Sequence, residues 1–124
     1  MKVGDYVRYQ KSKYYDEIKD IRIAKIMDIK EYTGYKDING NNIKFIFFVG
    51  GNGEYEDKII KSSPNIIDLI EVGDYVNGRI VDDYIYLDKL GLIGLTELEK
   101  EDEKFIKSIV TKERFSQMEY KVGE

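Results

Sequence analysis

The sequence predicts an all-β protein with a small helical content, built as two related barrel-type β-units that dock together. The first observation is a pentapeptide, Val-Gly-Asp-Tyr-Val, that occurs at residues 3–7 and again at residues 72–76. A Gly-Asp turn that leads into an alternating strand suits the first strand of a small bent sheet, because glycine accepts positive φ and aspartate hydrogen-bonds its own backbone. The second observation is that short runs of β-branched and aromatic residues alternate with Gly and Asn turns, which is typical of barrels.

The repeat divides the chain into two parts of similar size. We expect residues 1–62 to form the first β-unit and residues 63–124 to form the second, which adds a short helix capped by Thr111. The joint between them, residues 62–70, is short and apolar rather than rich in Ser and Gly, so the units are expected to dock. Two units this small also fit within one domain around a shared core, and the sequence leaves that choice open.

The most hydrophobic strand is expected at residues 43–49. The preceding pair Asn39-Gly40 is a strong signal for a tight hairpin, and a glycine-rich turn follows the strand. The apolar run is nearly continuous, which predicts burial on both faces of the strand. We therefore expect at least one of Phe45 and Phe47 to lie in the core.

The composition excludes several kinds of chemistry. The 124 residues include no cysteine and no histidine, which rules out a disulfide, a thiol nucleophile, a Cys/His zinc site and a Ser-His relay. Oxygen ligands for Mg²⁺ or Ca²⁺ remain, but we expect a protein that is not an enzyme and holds no metal or cofactor. Apolar runs stay well below the roughly 20 residues that span a bilayer, and the start lacks an apolar signal region, so we expect a cytoplasmic location without membrane contact.

Charge is unevenly distributed along the chain. The net charge is −4, with 12 basic and 10 acidic residues in residues 1–62 against 8 basic and 14 acidic residues in residues 63–124. This balance is not that of a general binder of phosphate backbones. The 11 tyrosines indicate protein contacts instead, because exposed tyrosine is a preferred anchor at interfaces.

An acidic run in the second half is the first candidate site. It consists of five closely spaced carboxylates, Glu97, Glu99, Glu101, Asp102 and Glu103. Their spacing is not that of an EF-hand, so a metal site is the weakest interpretation. A solvated loop and an acidic surface that binds a partner are the other two interpretations, and runs of charge are usually solvated.

The long connection at residues 10–20 is the second candidate site, because it carries the pair Tyr14 and Tyr15, which we expect to be exposed. Bases and aromatics interleave in and after this connection, a combination that binds single-stranded nucleic acid by stacking. The residues concerned are Lys11, Lys13, Tyr14, Tyr15, Lys19, Arg22 and Lys25. Three acidic residues among them dilute the positive charge, which favours an ordinary solvated hairpin over nucleic-acid binding.

Two further patterns resemble catalytic or phosphate-binding sites in part. Asp82 and Asp83 stand between two predicted strands, which favours a turn over a pair of catalytic carboxylates. Residues 50–53, Gly-Gly-Asn-Gly, lack the Lys-Ser/Thr that follows the glycines of a P-loop, which favours a hairpin.

Two stretches resemble sequences of uncharacterised small proteins of Firmicute prophages. One is residues 65–78, and the other is residues 109–115 together with Glu-Tyr-Lys-Val at residues 119–122. The resemblance covers roughly the second half and implies a phage or prophage setting, but no activity and no site residues. The Val-Gly-Asp-Tyr-Val segment is also similar to the start of SH3-like and KOW-type barrels, which implies SH3-like units.

These observations lead to one functional expectation and two alternatives. We expect a small non-enzymatic phage-type protein that binds and inhibits a host protein, such as a defence nuclease of a CRISPR system, by covering a basic surface. The alternatives are a KOW- or SH3-like module that binds nucleic acid and a protein that sequesters a small nucleotide signal. The sequence leaves the oligomeric state open.

Overall fold

The computed structural model describes residues 1–11 and 20–118. This part of the chain is mostly antiparallel strand, so the predicted all-β fold class is confirmed. The strands are β1 (Tyr6–Gln10), β2 (Ile21–Lys36), β3 (Asn42–Phe48), β4 (Gly53–Tyr55), β5 (Ile59–Ser63), β6 (Tyr75–Val76), β7 (Arg79–Ile80), β8 (Tyr84–Leu87), β9 (Gly91–Gly94) and β10 (Ile109–Val110). The 3-10 turns cover Glu56–Lys58, Ile66–Leu69, Leu95–Glu97 and Lys100–Phe105, and the helix α1 covers Lys112–Met118.

Five strands of the first half form one antiparallel sheet in the order β4-β3-β2-β1-β5. β2 is long because it pairs with two neighbours in turn: residues 21–25 pair with β1, and most of residues 26–36 pair with β3. The first core cluster lies among these strands and consists of Val7, Tyr9, Ile26, Ile46 and Phe48.

The second half contains a three-stranded sheet, β10-β6-β7, and a two-stranded sheet, β8-β9. Asn77 and Gly78 join β6 to β7 in a two-residue hairpin and have positive φ angles of 52° and 83°. A separate core cluster packs here and consists of Ile70, Val76, Val81, Ile85 and Leu87.

The two copies of the pentapeptide occupy equivalent positions. Each opens a strand that lies between the next strand and the last described strand of its half, as in β5-β1-β2 and β10-β6-β7. In the first copy the Gly4 amide donates to Ile26 O at 2.9 Å, and the Ile26 amide donates to Asp5 O at 2.8 Å. The second copy repeats both bonds with Val81 in place of Ile26, at 2.8 and 2.7 Å. The predicted equivalence of the two segments is therefore confirmed at the level of their hydrogen bonds.

The turn at each copy depends on its glycine and its aspartate. Gly4 and Gly73 have φ angles of +92° and +98°, which residues with a Cβ rarely adopt. The Oδ2 atom of each aspartate accepts a hydrogen bond from the amide three residues before it, at 3.0 Å for Asp5 and 2.8 Å for Asp74. The same two residue types therefore build the same turn twice.

The prediction that at least one of Phe45 and Phe47 lies in the core is wrong. Both side chains are half-buried, and the buried residues of β3 are Ile46 and Phe48. β3 alternates between a core face and an outer face, as a strand of period two does. A nearly continuous apolar run conceals that alternation, and it occurs here because the outer face is itself apolar.

The remaining predictions concern the helix cap at Thr111, the character and boundary of the two units, and the pair Tyr14 and Tyr15. The predicted cap is confirmed, since Thr111 Oγ1 accepts a hydrogen bond from the Arg114 amide at 3.3 Å at the start of α1. The predicted boundary at residue 62 and the SH3-like character of the units stay predictions. Tyr14, Tyr15 and the closing Glu-Tyr-Lys-Val segment lie outside the described residues.

Candidate functional site

The acidic run has a local structural role as well as exposed charge. Glu97, Glu99 and Glu101 are exposed. Glu99 and Asp102 form a capping box at the start of the 3-10 turn Lys100–Phe105, in which the Glu99 amide donates to Asp102 Oδ2 at 2.9 Å. The run is therefore more than a solvated loop, because two of its carboxylates hold the turn in shape.

Glu103 connects the 3-10 turn Lys100–Phe105 to β1 through Tyr6. The interaction of the Tyr6 hydroxyl with the Glu103 carboxylate, together with burial, raises the pKa of Tyr6 above its usual value. Both side chains are half-buried. Of the five residues in the run, Glu103 therefore contributes to the packing of the two halves rather than to a free acidic surface.

The Tyr6–Glu103 contact predicts a pH dependence. Because the folded pKa of Tyr6 is raised, its stabilising contribution is complete below about pH 10 and is lost as pH rises through the folded value. We expect the difference in free energy of unfolding between the protein and Tyr6→Phe to stay constant up to about pH 10 and to shrink above it in urea titrations. The exposed Tyr84→Phe serves as control, and a Tyr6→Phe difference that stays constant with pH would contradict the contact.

The second candidate site is the connection at residues 10–20 together with Arg22 and Lys25, and the structure describes only part of it. Arg22 donates two hydrogen bonds of 3.1 Å to the carboxylate of Asp20. The Lys25 ammonium lies 5.5 Å from the centroid of the Tyr6 ring. Both cations are therefore engaged by neighbours, while Lys13, Lys19 and the tyrosine pair lie outside the described residues.

The turn interpretations of the two remaining patterns agree with the structure. Asp82 Oδ1 accepts a hydrogen bond from the Tyr84 amide at 2.8 Å, as a turn aspartate does. Residues 49–52 connect β3 to β4 and close the hairpin, with the Phe48 amide donating to Asn52 O at 2.7 Å.

An aromatic surface on the outer face of β2, β3 and β4 is the main candidate site. It encloses an open cleft of about 530 Å³. The centroid of the Phe45 ring lies 4.8 Å from that of Phe47 and 5.0 Å from that of Tyr55, and both pairs have edge-to-face geometry. The residues of this aromatic surface are Tyr32, Tyr35, Ile43, Phe45, Phe47 and Tyr55.

Strand register places these side chains together. Phe45 pairs with Tyr55 of β4, and Ile43 pairs with Tyr32 of β2, so opposite residues share one face. Gly53 leaves room for the Phe45 ring, because a Cβ at that position would lie 2.4 Å from it. The aromatic surface therefore results from the pairing of the three strands and from the absence of a side chain at Gly53.

The aromatic surface continues onto a projecting hairpin, which we call the arm and define as residues 30–41. Every residue of the arm is exposed. Tyr35 retains 72% of its accessible surface, and Ile38 near the tip retains 99%. Exposed apolar side chains that continue a contiguous apolar patch mark interaction sites in soluble proteins.

Charges around the aromatic surface are balanced. Three lysines and four carboxylates line the open space between the arm and the 3-10 turn Glu56–Lys58. On the outer face the Lys30 ammonium lies 5.5 Å from the centroid of the Phe47 ring. The local field therefore gives little attraction to a chain of phosphates.

A buried arginine joins the two halves of the described chain. The Arg8 guanidinium binds both carboxylate oxygens of Asp74 at 2.7 and 3.0 Å. It also contacts Glu71 at 3.0 Å, Glu113 at 3.0 Å and the carbonyl oxygen of Leu69 at 3.1 Å. Burial lowers the pKa of Arg8, but Asp74, Glu71 and Glu113 raise it by more, so Arg8 stays charged.

This arginine cluster is structural rather than a ligand site. The donors of Arg8 are occupied by protein acceptors, and Asp74 also accepts hydrogen bonds from the amides of Glu71 at 2.8 Å and Lys112 at 3.0 Å. Sequence reasoning assigned Arg8 no role and placed no site at the aromatic surface. The alternation of Ile43, Phe45 and Phe47 is the signal that could have identified the surface.

The chain has no significant match among protein-family models, curated proteins or solved structures. Across residues 1–11 and 20–118, no helix is both long and apolar enough to cross a membrane. Within the same residues, no group of three or more carboxylates converges as a metal site.

Proposed function

We propose that this protein is a non-enzymatic binding protein that engages a partner protein through the aromatic surface. The observation that carries the proposal is the exposure of Tyr35, Tyr55 and Tyr32 beside two half-buried phenylalanine rings. Tyrosines that present a rigid apolar body and a polar tip are preferred anchors of protein interfaces. Balanced charge around the surface favours a protein over a nucleic acid.

The setting that fits this proposal is a phage or prophage protein acting in the host cytoplasm. Its partner is then a host protein, such as a defence nuclease, and binding inhibits the partner by covering part of its surface. Exposed Glu97 and Glu101 would raise the association rate with a basic partner, since rim charges act mainly on that rate. The order β4-β3-β2-β1-β5 with a 3-10 turn before β5 supports the further proposal that the first unit is SH3-like.

The proposal is tested by removing two anchors. We expect the double variant Tyr35→Ala, Tyr55→Ala to bind the partner at least about tenfold more weakly, because buried tyrosine anchors dominate interface energies. The partner is first captured from a host lysate with the unchanged protein and then titrated calorimetrically with each variant. Tyr84→Ala is the matched control, since Tyr84 is 56% exposed against 51% for Tyr55 but lies on β8.

Two results would contradict the proposal. Equal affinity of the double variant and the unchanged protein would remove the aromatic surface from the interface. Binding of single-stranded RNA or DNA that weakens steeply with salt and depends on Lys30 would favour the nucleic-acid alternative instead.

A further inference from the structure

The arm has an open backbone edge. β1 pairs with β2 only at residues 21–25, whereas β3 pairs with β2 as far as Tyr32 and, after a register shift, again at Lys36. On the side that faces away from β3, residues 30–36 therefore meet no strand of the described chain. Such an edge presents amide and carbonyl groups in the spacing that another strand uses for pairing.

This edge has a register shift between Tyr32 and Lys36, but it lacks two other protections that exposed edges often have. Prolines and outward-pointing lysines are common safeguards, but the chain's single proline is Pro64, outside the arm. The Lys30 ammonium leans over the Phe47 ring, and Lys36 hydrogen-bonds Asn42, so both lysines are directed towards β3. The side chains that could block pairing thus point away from the open edge.

The aromatic surface lies beside the same edge. Tyr32 belongs to the arm and shares the outer face with Ile43 and Phe45. A strand added along residues 30–36 would place every second side chain on that face, next to Tyr32 and Tyr35. Lys30 has no ion pair among the described residues, and its flexible stem lets it meet a carboxylate on such a strand.

We propose that the edge of β2 at residues 30–36 binds an extended segment of the partner protein as an additional strand. This inference rests on the proposed function and specifies its recognition mode. Backbone hydrogen bonds provide much of the affinity, and alternate apolar side chains with one acidic residue provide the specificity. The occupant is therefore a linear segment in strand conformation rather than a helix or a folded surface.

The test uses linear peptides selected for binding to the whole protein from a displayed random library. Each residue of a selected peptide is then N-methylated in turn, which removes one backbone donor without changing the side chain. We expect methylation to weaken binding about tenfold at every second residue and to have little effect at the residues between them. We also expect Tyr32→Ala and Lys30→Glu to weaken binding, whereas Tyr84→Ala leaves it unchanged.

The outcomes separate this inference from the proposed function. If Tyr35 and Tyr55 are needed but N-methylation has no period of two, strand addition is wrong and the aromatic surface remains the interface. If the selection returns no peptide that depends on Tyr32, strand addition is wrong. Self-association of the protein that depends on residues 30–36 would instead identify a second copy as the occupant and overturn the inference. If partner binding is also indifferent to Tyr35 and Tyr55, both proposals fail.

Discussion

Phe48→Ala is expected to lower the free energy of unfolding by about 3–5 kcal/mol. Phe48 retains 1% of its accessible surface and its ring lies 4.4 Å from the Tyr9 ring in the first core cluster. Truncation removes a large buried apolar surface and leaves a cavity between strands that hydrogen bonds hold in place. Urea titration followed by circular dichroism measures the loss, which is enough to unfold a domain of ordinary stability.

Phe47→Ala is the matched control for this prediction. Phe47 is the adjacent residue of the same strand but lies half-buried on the outer face, so we expect a loss of less than half that of Phe48→Ala. Equal losses at the two positions would mean that the aromatic surface is packed as tightly as the core. A loss below about 1 kcal/mol at Phe48 would place the core elsewhere.

Arg8→Met is expected to destabilise the protein by about 3–5 kcal/mol. Methionine keeps much of the length of the side chain but leaves Asp74, which is fully buried, without its bidentate partner. An uncompensated buried carboxylate is far more costly than the loss of an exposed ion pair. The same urea titration measures this variant.

Two further variants test whether the loss of stability in Arg8→Met comes from the unpaired carboxylate of Asp74. Arg79→Met removes a guanidinium that lies 4.0 Å from the centroid of the Tyr86 ring, and we expect it to cost about 1 kcal/mol or less. The double variant Arg8→Met, Asp74→Leu should recover only part of the stability, because Asp74 also accepts backbone amides that leucine cannot satisfy. A cost below about 1 kcal/mol for Arg8→Met alone would show that the buried pair contributes little.

Local turn chemistry made much of the fold predictable. Residue type favours the positive φ at Gly4 and Gly73, which precede β1 and β6, and at Asn77 and Gly78, which form the β6–β7 hairpin. The confirmed cap at Thr111 belongs to the same class of short-range signal. Each of these features depends on residues within a few positions of one another.

Features that depend on distant partners were not predictable. Arg8 and Asp74 are 66 positions apart, so no local pattern marks either as half of a buried pair. The face of β3 was ambiguous because apolar residues occupy both sides of the strand, and only its pairing with β2 and β4 shows which side is the core. The capping role of Glu99 and Asp102 was obscured by the surrounding charges.

The arginine cluster has a consequence for the order in which the protein is completed during synthesis. Arg8 leaves the ribosome early, but Asp74 and Glu113 are made much later. Glu71, Asp74 and the Leu69 carbonyl are made before α1, so only the contact of the guanidinium with Glu113 has to wait for that helix. The set of contacts around Arg8 is therefore completed only when α1 is present.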